Sequence, residues 1–281
     1  YASTPVEPLL AGRSIVRREE VVPGRDGAAL PLTVLSPRDP ASDAPGVLWL
    51  HGGGMVMGDR YAQLDIPLEW LDELGAVVVS VDYRLAPEAS GTTLVEDGYA
   101  ALLWLAAHAD ELGVDAARII VAGTSAGGGI AAGVTLLARD RGCPAVAAQV
   151  LICPMLDHRN DTVSARQFTA PAVWSRESNA FAWDALLQGS TDVSPYASPS
   201  LASDLSALPP TYIDAGSAEV FRDEDIDYAA RIWAAGGACE LHVWAGGFHG
   251  FDALSPHAAL SRQARATRTA WLRRTMLSAP R

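Results

Sequence analysis

A chain of 281 residues with 49% hydrophobic content can bury a sizeable core and fits one large α/β domain. Its formal net charge of −12, with an isoelectric point near 4.8, repels nucleic acid, and no basic patch interrupts that surface. No apolar run approaches the length of a membrane span and the N-terminus carries no signal-peptide pattern, which makes the cytoplasm the expected location.

In chain order, residues 1–14 read as a loose lead-in. Ser14 to Val22 and Leu30 to Ser36 alternate as half-buried strands around a Gly24-Arg25-Asp26-Gly27 turn, a hairpin pattern. Val47 to Leu50 is a short apolar strand that runs into His51-Gly52-Gly53-Gly54. Consecutive glycines cost entropy on folding and pack nothing, so bare backbone N–H groups offered to a ligand explain them best. Ile66 to Leu74 has helical spacing and stops at Gly75. Val77 to Val81 is another buried strand, and the charged Asp82 to Glu88 stretch after it reads as a structural ion-pair network. Leu94 to Leu112 reads as one long helix capped by Gly113.

The chain is organised around Gly123-Thr124-Ser125-Ala126-Gly127. The β-branched run Arg118 to Ala122 before it reads as a buried strand, and the small-residue run Gly128 to Ala138 after it reads as a helix. A G-x-S-x-G pattern at a strand-to-helix turn lifts a serine hydroxyl clear of the sheet, where a carbonyl can reach it. Ala147 to Cys153 is a further strand. Residues 155–208 break the alternation and carry Trp174, Phe181, Trp183 and Tyr196, with helical pieces around 165–188; an insertion there can act as a lid whose aromatics line a pocket. Thr211 to Ala215, Glu224 to Ala235 and Glu240 to Trp244 resume as strand, helix and strand, and a helix over roughly 257–277 closes the chain. Cys143, Cys153 and Cys239 are odd in number and widely spaced, so they read as small apolar core residues rather than disulfides or metal ligands.

A serine hydroxyl needs a base to take its proton and a carboxylate to orient that base. His242, His249 and His257 lie downstream; His242 alternates inside a strand and His257 opens a helix. His249 sits in a loop just past a strand, between glycines, and is the expected general base.

With these residues in view, the chain resembles the bacterial hormone-sensitive-lipase-like esterases and lipases (family IV) of the α/β-hydrolase superfamily, from about residue 28 onward. The resemblance rests on His51-Gly52-Gly53-Gly54, Tyr83-Arg84-Leu85-Ala86-Pro87-Glu88, Gly123-Thr124-Ser125-Ala126-Gly127, Glu96-Asp97, Leu208-Pro209-Pro210, Arg222-Asp223-Glu224 and His249-Gly250-Phe251. The threonine before Ser125 points to its G-T-S-A-G subgroup. The resemblance implies an α/β-hydrolase fold: a mostly parallel sheet flanked by helices, one domain over 1–281, with a small cap from residues 155–208 and a contribution from a short 1–27 segment. It further implies that the backbone N–H groups of Gly53, Gly54 and Ala126 form an oxyanion hole, that no metal or cofactor takes part, and that the partner is a small ester, with a homodimer expected. Members have a longer helical N-terminal segment, and Ala89-Ser90-Gly91-Thr92 stands where they carry a proline-rich stretch; a more open pocket is expected.

Five carboxylates follow the Thr211 strand: Asp214, Glu219, Asp223, Asp225 and Asp227. Asp214 falls inside the strand, Asp225 and Asp227 on the next helix as solvated residues, and Asp223 suits that helix's N-terminal end. Glu219 remains, at the position where most relatives carry aspartate. The expected triad is Ser125, His249 and Glu219. The expected activity is hydrolysis of short-chain carboxylic esters; an amide or carbamate hydrolase, or a non-catalytic ligand receptor on this fold, are the rivals.

Overall fold

The computed structural model describes residues 5–39, 41–169 and 172–278; residues 1–4 of the lead-in and residues 170–171 of the insertion lie outside them. A short helix α1 (Val6–Leu10) precedes the hairpin β1 (Ile15–Pro23) and β2 (Ala29–Pro37). Then come β3 (Ala44–Leu50), α2 (Asp65–Leu74), β4 (Val77–Val81), α3 (Thr93–Ala107), α4 (Ala109–Leu112), β5 (Val114–Thr124), α5 (Ala126–Arg141) and β6 (Ala148–Ile152). The insertion contributes α6 (Val163–Gln167), α7 (Arg176–Leu187) and a 3-10 turn at Pro199–Leu201. The chain ends with β7 (Thr211–Ala218), α8 (Arg222–Ala234), β8 (Cys239–Phe248), α9 (Phe251–Leu254) and α10 (Ala259–Ser278).

Among the described residues eight strands form one sheet in the order β1-β2-β4-β3-β5-β6-β7-β8; β2 runs antiparallel to both of its neighbours, β1 and β4, and the remaining pairs are parallel. Both faces are covered, so β3 and β4 are buried along their whole length, the hydroxyl of Ser80 in β4 being satisfied by the Arg60 carbonyl. Alternation along β3 feeds two cores. Leu48 and Leu50 pack with Val121, Ile130 and Tyr228 on the α3, α5 and α8 side. Val47 and Trp49 pack with Trp70, Trp271 and Val6 on the α2, α10 and α1 side. Among the described residues no helix is long and apolar enough to cross a membrane.

The structure corrects the sequence in several places. The expected single helix from Leu94 to Leu112 breaks at His108 (φ −107°, ψ 13°), whose ring nitrogen and amide both reach the Trp104 carbonyl. Strand β8 runs to Phe248 and is half-exposed at the sheet edge. Cys143 is exposed rather than core; Cys153 is buried. The charged stretch after β4 does form ion pairs, Arg60 with Asp82 at 2.5 Å and Arg84 with Asp97 at 2.7 Å.

The largest departure is Asp225, expected to be solvated but fully buried, with neither carboxylate oxygen hydrogen-bonded. It shares the inner face of α8 with Tyr228, Ala229 and Ile232, at i+3, i+4 and i+7. Burial, then the charges of Glu224, Glu219 and Asp214, push its carboxyl well above the usual range. A carboxyl raised on folding stays protonated in the fold where the unfolded chain has released the proton. Its contribution to stability therefore falls as pH climbs from about 4, the unfolded value, toward the folded one. Asp225→Asn is expected to exceed the parent in urea stability by about 1 kcal/mol or more near neutral pH, with a smaller gain at pH 5. An unchanged difference across that range would contradict it.

Candidate active site

Ser125 stands between β5 and α5 with φ 57° and ψ −122°, a backbone region costly for a residue with a Cβ. The turn is locked from both sides. Its amide donates to the Ile152 carbonyl at 2.7 Å, and its carbonyl accepts from Met155 at 3.0 Å and Gly129 at 3.1 Å. The flanking glycines are steric necessities. A Cβ on Gly123 would lie 2.2 Å from the Gly127 carbonyl oxygen, and one on Gly127 would lie 2.1 Å from that of Leu50. The G-x-S-x-G spacing is thus what lets β5, β3 and α5 meet under the serine.

Ser125 Oγ lies 2.9 Å from His249 Nε2, and His249 Nδ1 lies 2.6 Å from Glu219 Oε2. All three residues are buried. Glu219 Oε1 also accepts the Gly216 amide at 2.5 Å, which fixes the carboxyl plane. With Glu219 accepting at Nδ1, the imidazole carries its proton there and Nε2 is free to accept from the serine. Phe221 meets the His249 ring edge-on, centroids 5.1 Å apart.

The other carboxylates are engaged elsewhere. Asp214 pairs with Arg268 of α10 at 2.8 Å and accepts from the Trp244 indole at 3.3 Å. The same guanidinium reaches Asp252 at 3.1 Å, so a buried arginine ties β7 to the segment just after His249. Asp223 does not cap its own helix. It accepts the Ser164 amide of α6 at 2.7 Å and pairs with Arg222 at 2.8 Å; burial opposes its charge, but these two partners hold the carboxyl below the usual range. Asp227 is exposed. Glu224 accepts the amides of Leu156 and Asp157, at 2.7 and 3.1 Å, and so anchors the start of the insertion. His242 stacks on Trp244 and bonds Glu240, remote from the serine in its contacts, and His257 is exposed.

The glycine turn after β3 faces Ser125 across a cleft of about 330 Å³, walled by Met57, Trp174, His249 and Leu254. Gly53 has φ 125°, and a Cβ there would lie 2.1 Å from the Met57 carbonyl oxygen. Among the described residues no acceptor engages the Gly53 or Gly54 amide. Three side chains shape this turn, His51 and Tyr83 from the sequence motifs and Gln63, which no motif marked. Gln63 accepts the Gly52 amide at 2.9 Å, and the Tyr83 hydroxyl donates to the His51 carbonyl at 2.7 Å. The His51 ring stacks on Tyr83, centroids 4.2 Å apart, with Nδ1 2.7 Å from the Gly52 carbonyl; burial lowers its proton affinity and keeps it neutral. Ala126 opens α5 directly after Ser125, so its amide is an N-terminal helix donor.

Of the four aromatics singled out in the insertion, only Trp174 reaches the cleft, its ring against Gly54. Trp183 is in the core, Phe181 is exposed, and the Tyr196 hydroxyl bonds Asp140. A wider groove of about 520 Å³ is lined by Tyr99, Leu103 and Trp104, and neither Ser125 nor His249 borders it.

The profile of the alpha/beta hydrolase fold family matches residues 47–253. Esterase LipI of Mycobacterium tuberculosis is 39% identical over 226 residues, covering 77% of this chain and 69% of that protein. Carboxylesterase NlhH of the same species is 36% identical over 260 residues, covering 87% and 79%. Among solved structures, a bacterial heroin esterase superposes with a TM-score of 0.91 at 41% identity, covering 96% of this chain and 88% of its own.

Proposed function

Because this chain belongs to the alpha/beta-hydrolase family, among its hormone-sensitive-lipase-like esterases, and is a serine carboxylesterase, we propose that it hydrolyses short-chain esters through a Ser125–His249–Glu219 triad. The reading is carried by one observation: a serine oxygen, an imidazole and a carboxylate in hydrogen-bonded line at 2.9 and 2.6 Å, at the wall of a cleft. Ser125 Oγ attacks the ester carbonyl while His249 Nε2 takes its proton. The developing oxyanion is held by the amides of Gly53, Gly54 and Ala126, each such donor being worth about 3 kcal/mol in the transition state. His249 then protonates the leaving alcohol, and water activated by the same imidazole releases the acid.

The small cleft supports short acyl chains, and residues 155–208 act as its cap through Trp174. Hydrolysis of p-nitrophenyl acetate and butyrate is expected to outrun that of laurate and palmitate, and esters to outrun the matching anilides. A preference for long chains or for anilides would overturn this reading. Trp174→Ala removes the ring beside Gly54 and is expected to raise the octanoate-to-acetate ratio of kcat/KM at least about tenfold, the usual worth of added apolar contact. An unchanged ratio would take Trp174 out of the specificity pocket.

We further infer a homodimer. Among the described residues no strand pairs the outer edge of β8, and Ile226 and Trp233 on α8 and Val243 and Phe248 on β8 expose between 37% and 47% of their surface. Light scattering at micromolar concentration is expected to give twice the chain mass; the monomer mass would contradict it.

A further inference from the structure

We propose that the rear of the Ser125–His249–Glu219 array is a binding site for a soft divalent metal ion such as zinc or cadmium, held by Cys153, Glu219 and His249. Cys153 follows β6 directly and is buried, and one ligand atom from each of the three residues lies within 4.8 Å of the others. Thiolate, carboxylate and imidazole are a zinc donor set, and the ion draws such atoms together at about 2.0–2.3 Å from itself. The esterase chemistry makes no use of Cys153, whose sulfur makes a weak contact to the Thr124 hydroxyl at 3.8 Å.

Two surroundings favour an ion there. A cavity of about 10 Å³ touches Cys153, Glu219, Asp214 and Asp252, room for one small particle. Around it lie three carboxylates: Asp214 and Asp252 share the buried Arg268, Asp252 also sits 3.9 Å from Arg265, which is itself paired with Asp65 and Glu69, and Glu219 pairs with neither arginine, so the region carries a surplus of negative charge. That surplus opposes a lone thiolate but attracts a divalent cation. The balance closes: the Cys153 thiol gives its proton to solvent, and thiolate plus Glu219 carboxylate neutralise the two positive charges beside a neutral imidazole.

The ion has a functional consequence, which rests on His249 being the general base. A metal at Nδ1 displaces the proton from that nitrogen, and the neutral ring then carries it on Nε2. Nε2–H points at Ser125 as a donor and cannot accept the serine proton. Zinc is therefore an off-switch acting through the tautomer.

The test uses the purified full chain in buffer free of chelators and thiols. Cadmium chloride is titrated into the Cys143→Ser/Cys239→Ser protein while the ultraviolet thiolate-to-cadmium absorption is followed. The band is expected to saturate at one ion per chain and to vanish on adding Cys153→Ala. In parallel, zinc chloride inhibition is compared between the parent and Cys153→Ala, each referred to its own zinc-free rate, with EDTA reversal as the control. Loss even of a partner behind a metal ligand weakens binding about 10- to 100-fold, so removing the ligand is expected to raise the inhibitory zinc concentration at least that much. No band in the single-cysteine protein, or inhibition of both proteins at the same zinc concentration, would overturn the site. A full band with neither protein inhibited would keep the site and count instead against His249 as the base.

Discussion

Ser125→Ala is expected to lower turnover of p-nitrophenyl acetate by about 10⁶-fold, the scale seen when a triad nucleophile is removed. The melting temperature should barely move. The Ser125 side chain bonds His249 alone, whereas the strained turn is held by its backbone contacts to Ile152, Met155 and Gly129 and by the close approaches of Gly123 and Gly127, all of which alanine keeps. A variant that retained a substantial share of activity would remove Ser125 from the chemistry.

The second large effect falls on the acid. In Glu219→Gln the side-chain oxygen can face the Gly216 amide or the His249 ring, but not both. If it keeps Gly216, the NH₂ group confronts Nδ1 and drives the imidazole proton to Nε2, the wrong tautomer for accepting from Ser125. If it turns to His249, two N–H groups confront each other at Gly216. Either way kcat is expected to fall by about 10³ to 10⁴ with the fold intact. Asp223→Asn, by contrast, loses part of a contact to Ser164 and Arg222 and should cost about 1 kcal/mol of stability or less, with kcat unchanged. The reverse pattern, Glu219→Gln active and Asp223→Asn dead, would mean that the acid has been misassigned.

Much of this arrangement is legible in the residues because it is local. The β-branched run before Gly123 and the small residues after Gly127 specify a strand and a helix, and the turn between them leaves Ser125 little choice of place. The alternation that puts Asp214 inside β7 also carries Glu219 past its end. What escapes is long-range. The i, i+3, i+4, i+7 spacing of Asp225, Tyr228, Ala229 and Ile232 marks the inner face of α8, but the charge on Asp225 argues for solvent, and tertiary packing overrides it. Asp223 looks like a cap for α8 and serves α6 instead, because the insertion folds back across the loop that carries Glu219. Glu219 and His249 are far from Cys153 in sequence and reach it only through the order of β6, β7 and β8.

The most direct test of an acyl-enzyme at Ser125 is covalent. Incubation with a fluorophosphonate probe, followed by digestion and mass spectrometry, is expected to place one adduct per chain on the peptide carrying Ser125, with activity lost in step and no adduct in Ser125→Ala. An enzyme inactivated through another residue, or one left unlabelled while it hydrolyses esters, would contradict the account.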